Sequence, residues 1–347
     1  MIRQTFLFWR INKHNYTYHT IILNQMKVID LFCGAGGTTT GVHLSGKAEV
    51  IACINHDATA IKSHAANYPN CKHYIEDIRL FDEKILPPCD IITMSAECTH
   101  FSIAKGGESR NADSRTLSEE LYRYIAHCNP TYIVVENVKE FLTWADLVQK
   151  KDKNGNLVFK PNGEPYMIPD TDVFNKGKKY REWVRTIKAM GYEYKYKILN
   201  SADFGAYTSR LRYFGIFAKK GSPIRFPKPT HAEKGCENTV QKWRAVRELL
   251  DFENKGTSIF DRSKPLSEKT LKRIYAGLQK FVPNEANWIV KWLSNNPKTG
   301  INSGKSCNVP LDTIACQNRL GLASVEFIDN YRSERTPTST TLPLSTI

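Results

Sequence analysis

The chain has 347 residues, 41% of them hydrophobic, enough to bury a large core and to form two domains. No apolar run approaches bilayer-spanning length, which argues against a helical membrane protein, and nine cysteines without a C-x-x-C pair argue against a zinc ribbon or a secreted disulfide scaffold. The formal charge of +14 is uneven: residues 1–150 carry 15 Lys and Arg against 16 Asp and Glu, and residues 151–347 carry 34 against 19.

A soluble, cytoplasmic chain in a reducing compartment is therefore expected, with a neutral first part and a basic second part suited to a polyanion. A basic surface kept for solubility is the competing reading of the charge. Residues 1–25 are basic and aromatic, show no periodic face, and end at a second methionine, Met26. They read as an appended, disordered or non-native extension.

From Met26 the pattern alternates strand and helix. An apolar run, Val28 to Phe32, leads into the glycine cluster Gly34, Gly36 and Gly37 and then a helix to Leu44. Such a turn lets backbone approach a nucleotide-like ligand, although it lacks the G-x-G-x-x-G fingerprint; a turn that merely packs a helix onto the sheet is the alternative. Further strands are expected at Glu49–Ile54, His73–Glu76 and Asp90–Met94, with a helix over Asp57–Asn67. This is an α/β pattern, and in parallel sheets ligands sit at the carboxyl ends of strands. Those ends carry Asn55, His56 and Asp57, then Asp77, then Ser95 to Cys98. Asn55 or Asp57 suits ribose hydroxyls and Asp77 an exocyclic amine, with a helix N-cap the alternative for the aspartates. His56, His64 and His73 lack metal-like spacing and read as ordinary polar positions; no metal is expected.

Cys98 lies just beyond a strand end, ahead of a long polar segment with Gly106 and Gly107 and a helix from about Thr116. A loop of that length in an α/β unit points to a functional segment. The next strand, Thr131 to Val135, delivers Glu136 and Asn137, and Arg210 and Arg212 alternate into a later strand, so both face one side. A thiol, a carboxylic acid and two guanidiniums on one rim suit nucleophilic activation of a pyrimidine: the thiolate adds to an electron-poor carbon, the acid protonates a ring nitrogen, and an arginine holds a carbonyl oxygen.

DLFCGAGG, Asp77-Ile78, Glu97-Cys98 with Phe101-Ser102, Glu136-Asn137-Val138 and Arg210-x-Arg212 come in the order and approximate spacing of the cytosine-5 DNA methyltransferases. From Met26 to about Ala218 the chain resembles that family, and the ECTHFS string and the segment from Trp243 to Leu278 resemble its phage-type branch. The resemblance implies a Rossmann-like S-adenosylmethionine-dependent sheet with a smaller, basic target-recognition domain, acting on double-stranded DNA in restriction-modification or phage self-protection. Phe32, Gly34, Ala35, Gly36 and Gly37 would cradle S-adenosylmethionine, Asn55 would lie near its ribose, His56 against the adenine, and Asp77 with Ile78 at the adenine edge. Leu117 would line the same pocket. Cys98 would attack C6 of a flipped-out cytosine, Glu136 would contact N3 and the amino group, and Arg210 the O2, with Arg212 beside it. The implied domains are residues 26–224, catalytic, and 225–347, a partial target-recognition domain.

The chain departs from the family pattern at Asn55, where an acidic residue is usual, at Glu97, where a proline usually precedes the nucleophile, and at Thr208, where a glutamine is typical. Residues 143–177 form a basic insertion whose two Asn-Gly pairs predict a hairpin-like surface feature. Lys242–Leu250 and Ser267–Leu278 read as helices. VPLDTI, from Val309, recurs as LPLSTI, from Leu342, and no G-N-x-V-like string follows. The resemblance therefore implies a missing cofactor-pocket helix, and this polypeptide is expected to bind the cofactor weakly or not at all and to be inactive unless a separate chain supplies the piece; the alternative is that helices between Lys242 and Leu293 take over that wall. Two other functions stay open: a non-catalytic nucleic-acid-binding relative, and a tRNA cytosine-5 methyltransferase.

Overall fold

The computed structural model describes residues 25–96, 117–170, 172–235, 240–254, 258–282, 284–292, 300–314 and 319–325. These fall into two compact units, the first made of residues up to Ser95 with Leu117–Ile133, the second of Ala96 and the chain from Val134 onward.

The first unit is built on β1 (Met26–Leu31), α1 (Gly37–Ser45), β2 (Ala48–Asn55), α2 (Ala58–Asn67), β3 (Lys72–Ile75), β4 (Ile91–Met94) and α3 (Leu121–Cys128). Its strand order is β3-β2-β1-β4, and every pairing is parallel, with Val28 opposite Val50 and Ile91, and Ala52 opposite Lys72. Parallel strands are covered on both faces, which is why β1 and β2 read as near-continuous apolar runs. Val28, Ile29, Leu31, Cys53 and Ile54 are buried accordingly. Asp30 is the exception, a fully buried carboxylate that accepts the hydroxyls of Thr93 at 2.7 Å and Thr39 at 3.1 Å. Helix α3 buries Leu121, Tyr124, Ile125 and Cys128, an i, i+3, i+4, i+7 stripe.

The second unit takes up β5 (Tyr132–Asn137) from Val134 on, the hairpin β6 (Leu147–Gln149) and β7 (Met167–Pro169), α4 (Lys178–Ala189), β8 (Tyr192–Asn200), β9 (Thr208–Ser209) and β10 (Leu211–Lys219). β10 runs antiparallel to β8, with Leu211 opposite Asn200 and Lys219 opposite Tyr192. One face of β10 is aromatic core. Phe141 sits at its centre with rings of Trp144, Tyr180, Trp183 and Tyr213 at 5.4 to 5.6 Å. Tyr180, Trp183 and Ile187 are the buried stripe of α4. The insertion is the hairpin its two Asn-Gly pairs predict: bridges join Lys151 to Leu157 and Phe159 to Pro165, and Gly155 and Gly163 turn with positive φ.

Further on come β11 (His231–Ala232), β12 (Gln241–Lys242), α5 (Glu268–Phe281), β13 (Asn287–Lys291), β14 (Lys305–Ser306), β15 (Leu311–Asp312) and β16 (Leu320–Ser324). α5 is the helix expected from Ser267, whose side chain caps it. The helix expected over Lys242–Leu250 is absent; only a 3-10 turn, Val246–Leu249, forms there. Its backbone donors are engaged elsewhere, Trp243 on Ala232, Val246 on Val309 and Arg247 on Cys307. No helix among the described residues is long and apolar enough to cross a membrane.

Candidate active site

In the first unit the expected cofactor residues gather at the carboxyl ends of β1, β2 and β3. After Leu31 the chain turns through Phe32 at φ 61, Gly34 at φ 53 and Gly36 at φ 99 before α1 starts. A phenylalanine in the left-handed region is strained by about 1–3 kcal/mol, and such strain collects where a backbone is shaped for a ligand. Gly36 is doubly constrained: a Cβ there would be strained by its φ and would lie 3.0 Å from the His64 ring. By contrast, a Cβ on Gly34 or Gly37 would meet nothing within 4 Å. The turn thus opens onto space, and no side chain caps the first turn of α1. Uncapped N–H groups beside open space suit a polar ligand.

The neighbouring strand ends behave differently. Asn55 accepts the Asp57 N–H at 2.9 Å, and Asp57 caps α2 by accepting from Thr59 at 2.7 Å and Ala60 at 3.3 Å, so Asp57 is an N-cap. His56 lies exposed between them. Asp77 is gripped by Arg79, whose Nε and Nη2 lie 3.0 and 2.6 Å from its two oxygens. That guanidinium holds the Asp77 carboxyl down to about 2, so it stays ionised and offers only its remaining lone pairs to a ligand. Ile78 is buried, and its carbonyl accepts from Arg123 and from Tyr124 Oη at 2.9 Å, which pins this segment to α3. Leu117 is buried in the same unit.

His64, read from sequence as an ordinary polar position, is fully buried. Both its nitrogens are satisfied, Nε2 by Thr39 Oγ1 and Nδ1 by His73 Nε2, each at 2.9 Å. Its partners come from other elements, and nothing near it in sequence signals them.

In the second unit β5 alternates, burying Ile133, Val135 and Asn137 and turning Val134 and Glu136 to the other face. The Asn137 side chain receives the Val138 N–H at 2.8 Å and donates to the Ala96 carbonyl at 3.4 Å. On β10, Arg212, Phe214 and Ile216 share the face opposite Tyr213 and Phe217, as the period-two reading expects. They line a cavity of about 430 Å³ with Val134, Glu136, Leu199, Phe204, Arg210, Phe226 and Pro227. That volume lies within the range of small-ligand sites. Its polar end is a triad: Glu136 Oε1 lies 3.1 Å from Arg212 Nε and 4.0 Å from Arg210 Nη2. Burial raises the Glu136 carboxyl above its ordinary value, and the two guanidiniums only partly offset this.

Sequence reasoning missed the clasp behind Arg210. The buried Asn200 accepts the Arg210 N–H at 3.0 Å, the Ser201 oxygen accepts the same N–H at 3.1 Å, and the Ser201 hydroxyl donates to the Thr208 carbonyl at 2.6 Å. β15 pairs with β9 in parallel, and Thr313 donates to the Ser209 carbonyl at 3.1 Å. The segment ahead of the arginines is therefore held from three sides. A polar Asn-Ser pair at a strand end was its only trace in the sequence. Cys98 and the polar segment after it lie outside the described residues.

A parallel sheet with a glycine turn after β1, in the order β3-β2-β1-β4, is a Rossmann-like α/β half. The sequence profile described as C-5 cytosine-specific DNA methylase matches residues 26–154 and 173–337. The chain belongs to that family. It is 27% identical over 223 residues to the Type II methyltransferase M1.HphI of Haemophilus parahaemolyticus, covering 62% of this chain and 52% of that protein. Against the Type II methyltransferase M.Bsp6I of Bacillus sp. (strain RFL6) it is 28% identical over 296 residues, covering 83% and 81%. The crystal structure of S. pombe Dnmt2 methyltransferase superposes with a TM-score of 0.44 at 16% identity over 75% of this chain and 66% of that one. The chain spans about half the length of the Haemophilus relative.

Proposed function

We propose that this chain is a DNA cytosine-5 methyltransferase that uses S-adenosylmethionine, of the kind that serves restriction-modification, working on duplex DNA in the cytoplasm. The observation that carries this reading is the Glu136–Arg212–Arg210 triad at the end of an apolar cavity, in a chain of this family. The glycine turn fits the cofactor, because the space beside Gly34 and Gly37 is open and α1 is uncapped. Phe32, Gly34, Ala35, Gly36 and Gly37 would hold it, with Asn55, His56, Asp77, Ile78 and Leu117 around them. When bound, S-adenosylmethionine supplies an electrophilic methyl group.

The residues divide the work. The Cys98 thiolate adds to C6 of a cytosine turned out of the duplex, forming the S–C bond and moving the C5–C6 electron pair to C5. Glu136, whose pKa burial raises, gives its proton to N3, so that no anion accumulates on the ring. Arg210 and Arg212 hold O2 and orient the carboxyl group. After methylation at C5, a base removes the C5 proton, the S–C bond breaks, N3 returns its proton to Glu136, and thiolate and methylated base are released. Flipping costs a few kcal/mol of stacking and pairing, which binding must offset. Residues 225–347 then act as the DNA-reading domain beside the catalytic residues 26–224, in keeping with the basic excess after residue 150.

A duplex oligonucleotide carrying 5-fluorocytosine tests the reading, because fluorine blocks release. The full chain should form a denaturation-resistant adduct that Cys98→Ala abolishes, and should methylate duplex DNA in preference to tRNA. Trapping that persists in Cys98→Ala would overturn the nucleophile, transfer to tRNA alone would favour the RNA enzyme, and binding without transfer would favour the non-catalytic relative.

A further inference from the structure

Beneath the glycine turn lies a cluster that the methyl-transfer reading does not use. Cys33 leaves β1 within the turn, Cys53 sits in β2, His64 comes from α2, and Cys71 and His73 come from the edge at β3. The three thiols are free and buried. Two overlapping sets of metal-compatible donors share Cys53: Cys33, Cys53 and His64, all buried, and Cys53, Cys71 and His73. Within each set the donor atoms lie within 4.8 Å of one another.

Hydrogen bonding decides which atom of His64 is available. Thr39 has one hydroxyl proton and gives it to Asp30 Oδ2 at 3.1 Å, so at the 2.9 Å contact with His64 Nε2 the ring must donate. The lone pair of His64 is then on Nδ1, which meets His73 Nε2 at 2.9 Å and would exchange that contact for the metal. Nδ1 lies 3.9 Å from Cys53 Sγ. A tetrahedral zinc with bonds of about 2.3 Å to sulfur and 2.0–2.1 Å to nitrogen needs a sulfur–nitrogen edge of about 3.5 Å, a small contraction from what is present. The outer groups also match a metal site: a ligating histidine usually donates its second N–H outward, and here the donation runs through Thr39 to the buried Asp30 carboxylate.

We propose that Cys33, Cys53 and His64 form a structural zinc site, closed by Cys71 or His73, that ties the cofactor turn to β2 and α2. Mixed thiolate and imidazole donors in a dry, enclosed position suit Zn²⁺ and leave no open coordination place for catalysis. On binding, the thiols lose their protons to solvent and no oxidation occurs. The site bears directly on the turn, because His64 is the ring against which Gly36 packs.

The test uses the full chain, expressed in medium supplemented with zinc or with cobalt and purified without chelator. Elemental analysis should find about one zinc per chain, and the cobalt form should show a thiolate charge-transfer band in the near ultraviolet with tetrahedral d–d bands in the visible. Cys53→Ala should lose both the metal and the bands, whereas Cys89→Ala, outside the cluster, should keep them. Should Cys53→Ala fail to fold, the wild-type cobalt spectrum and the wild-type melting temperature still decide: chelation during refolding should lower the melting point and zinc should restore it. Metal at background level with no thiolate band, a disulfide within the cluster, or bands unchanged in a folded Cys53→Ala would each overturn the proposal.

Discussion

Asp30 is a carboxylate held in a dry core by two hydroxyls, and replacing it by asparagine isolates the cost of its charge. Burial raises its pKa from 3.8 to about 6, the Thr93 and Thr39 hydrogen bonds only partly opposing the shift. Between those two values the folded protein keeps a proton on Asp30 that the unfolded chain has lost. Stability from this group is therefore fully present below pH 3.8 and is lost as pH rises through about 6. About two pKa units at 1.36 kcal/mol each come to about 3 kcal/mol. Asp30→Asn keeps a hydroxyl acceptor at the site and has nothing to titrate. Urea unfolding of both proteins at steps between pH 4 and 7.5 should show the variant gaining about 3 kcal/mol relative to wild type as the pH rises, with the change centred between pH 4 and 6. A stability difference that stays flat with pH would refute the buried-charge reasoning, and one that moves the other way would mean the carboxylate is better solvated by its hydroxyls than by water.

Three further outcomes are expected. Glu136→Gln keeps the shape but not the acid, so turnover in a methyl-transfer assay should fall by about 10²-fold or more while DNA binding persists; near-normal turnover would make the carboxyl structural. Phe141→Ala removes a fully buried ring from the aromatic core of the second unit and should cost about 3–5 kcal/mol by denaturant unfolding; a loss under 1 kcal/mol would show that the surrounding rings close the gap. Duplex binding should weaken steeply between low and physiological salt, because each neutralised phosphate releases counterion; a flat dependence would return the basic excess to a solubility role.

The first unit was legible because its strands are short apolar runs that stop at glycine or at a polar cluster, and local pattern alone sets those boundaries. Arg210 and Arg212 were legible for a similar reason: alternation in a strand fixes a shared face wherever the strand goes. Lys242–Leu250 was not. Its apolar spacing fits a helix, but Trp243, Val246 and Arg247 give their N–H groups to carbonyls of Ala232, Val309 and Cys307, two of them about 60 residues away. His64 failed for the same reason: the groups that satisfy and bury it are Thr39 and His73, from the next helix back and the next strand on. Pattern reading prices a polar residue as exposed unless its partners are adjacent. The Asn200–Ser201 clasp is a third case, since its role depends on the chain returning through the 3-10 turn Ser201–Phe204 and β9 to Arg210, which no local motif announces.

The proposed reaction asks Glu136 to act as an acid between two arginines. Were the guanidiniums of Arg210 and Arg212 the dominant influence, they would pin Glu136 as a carboxylate and it would have no proton to give. Burial outweighs them in direction, and the apolar residues Leu199, Phe204, Phe214, Ile216 and Phe226 line the cavity that Glu136 shares. A polar substitution at Phe214 or Phe226 would then lower the Glu136 pKa and impair proton delivery without touching the triad. On the proposed mechanism the apolar lining would then serve the acid alongside the carboxyl group itself.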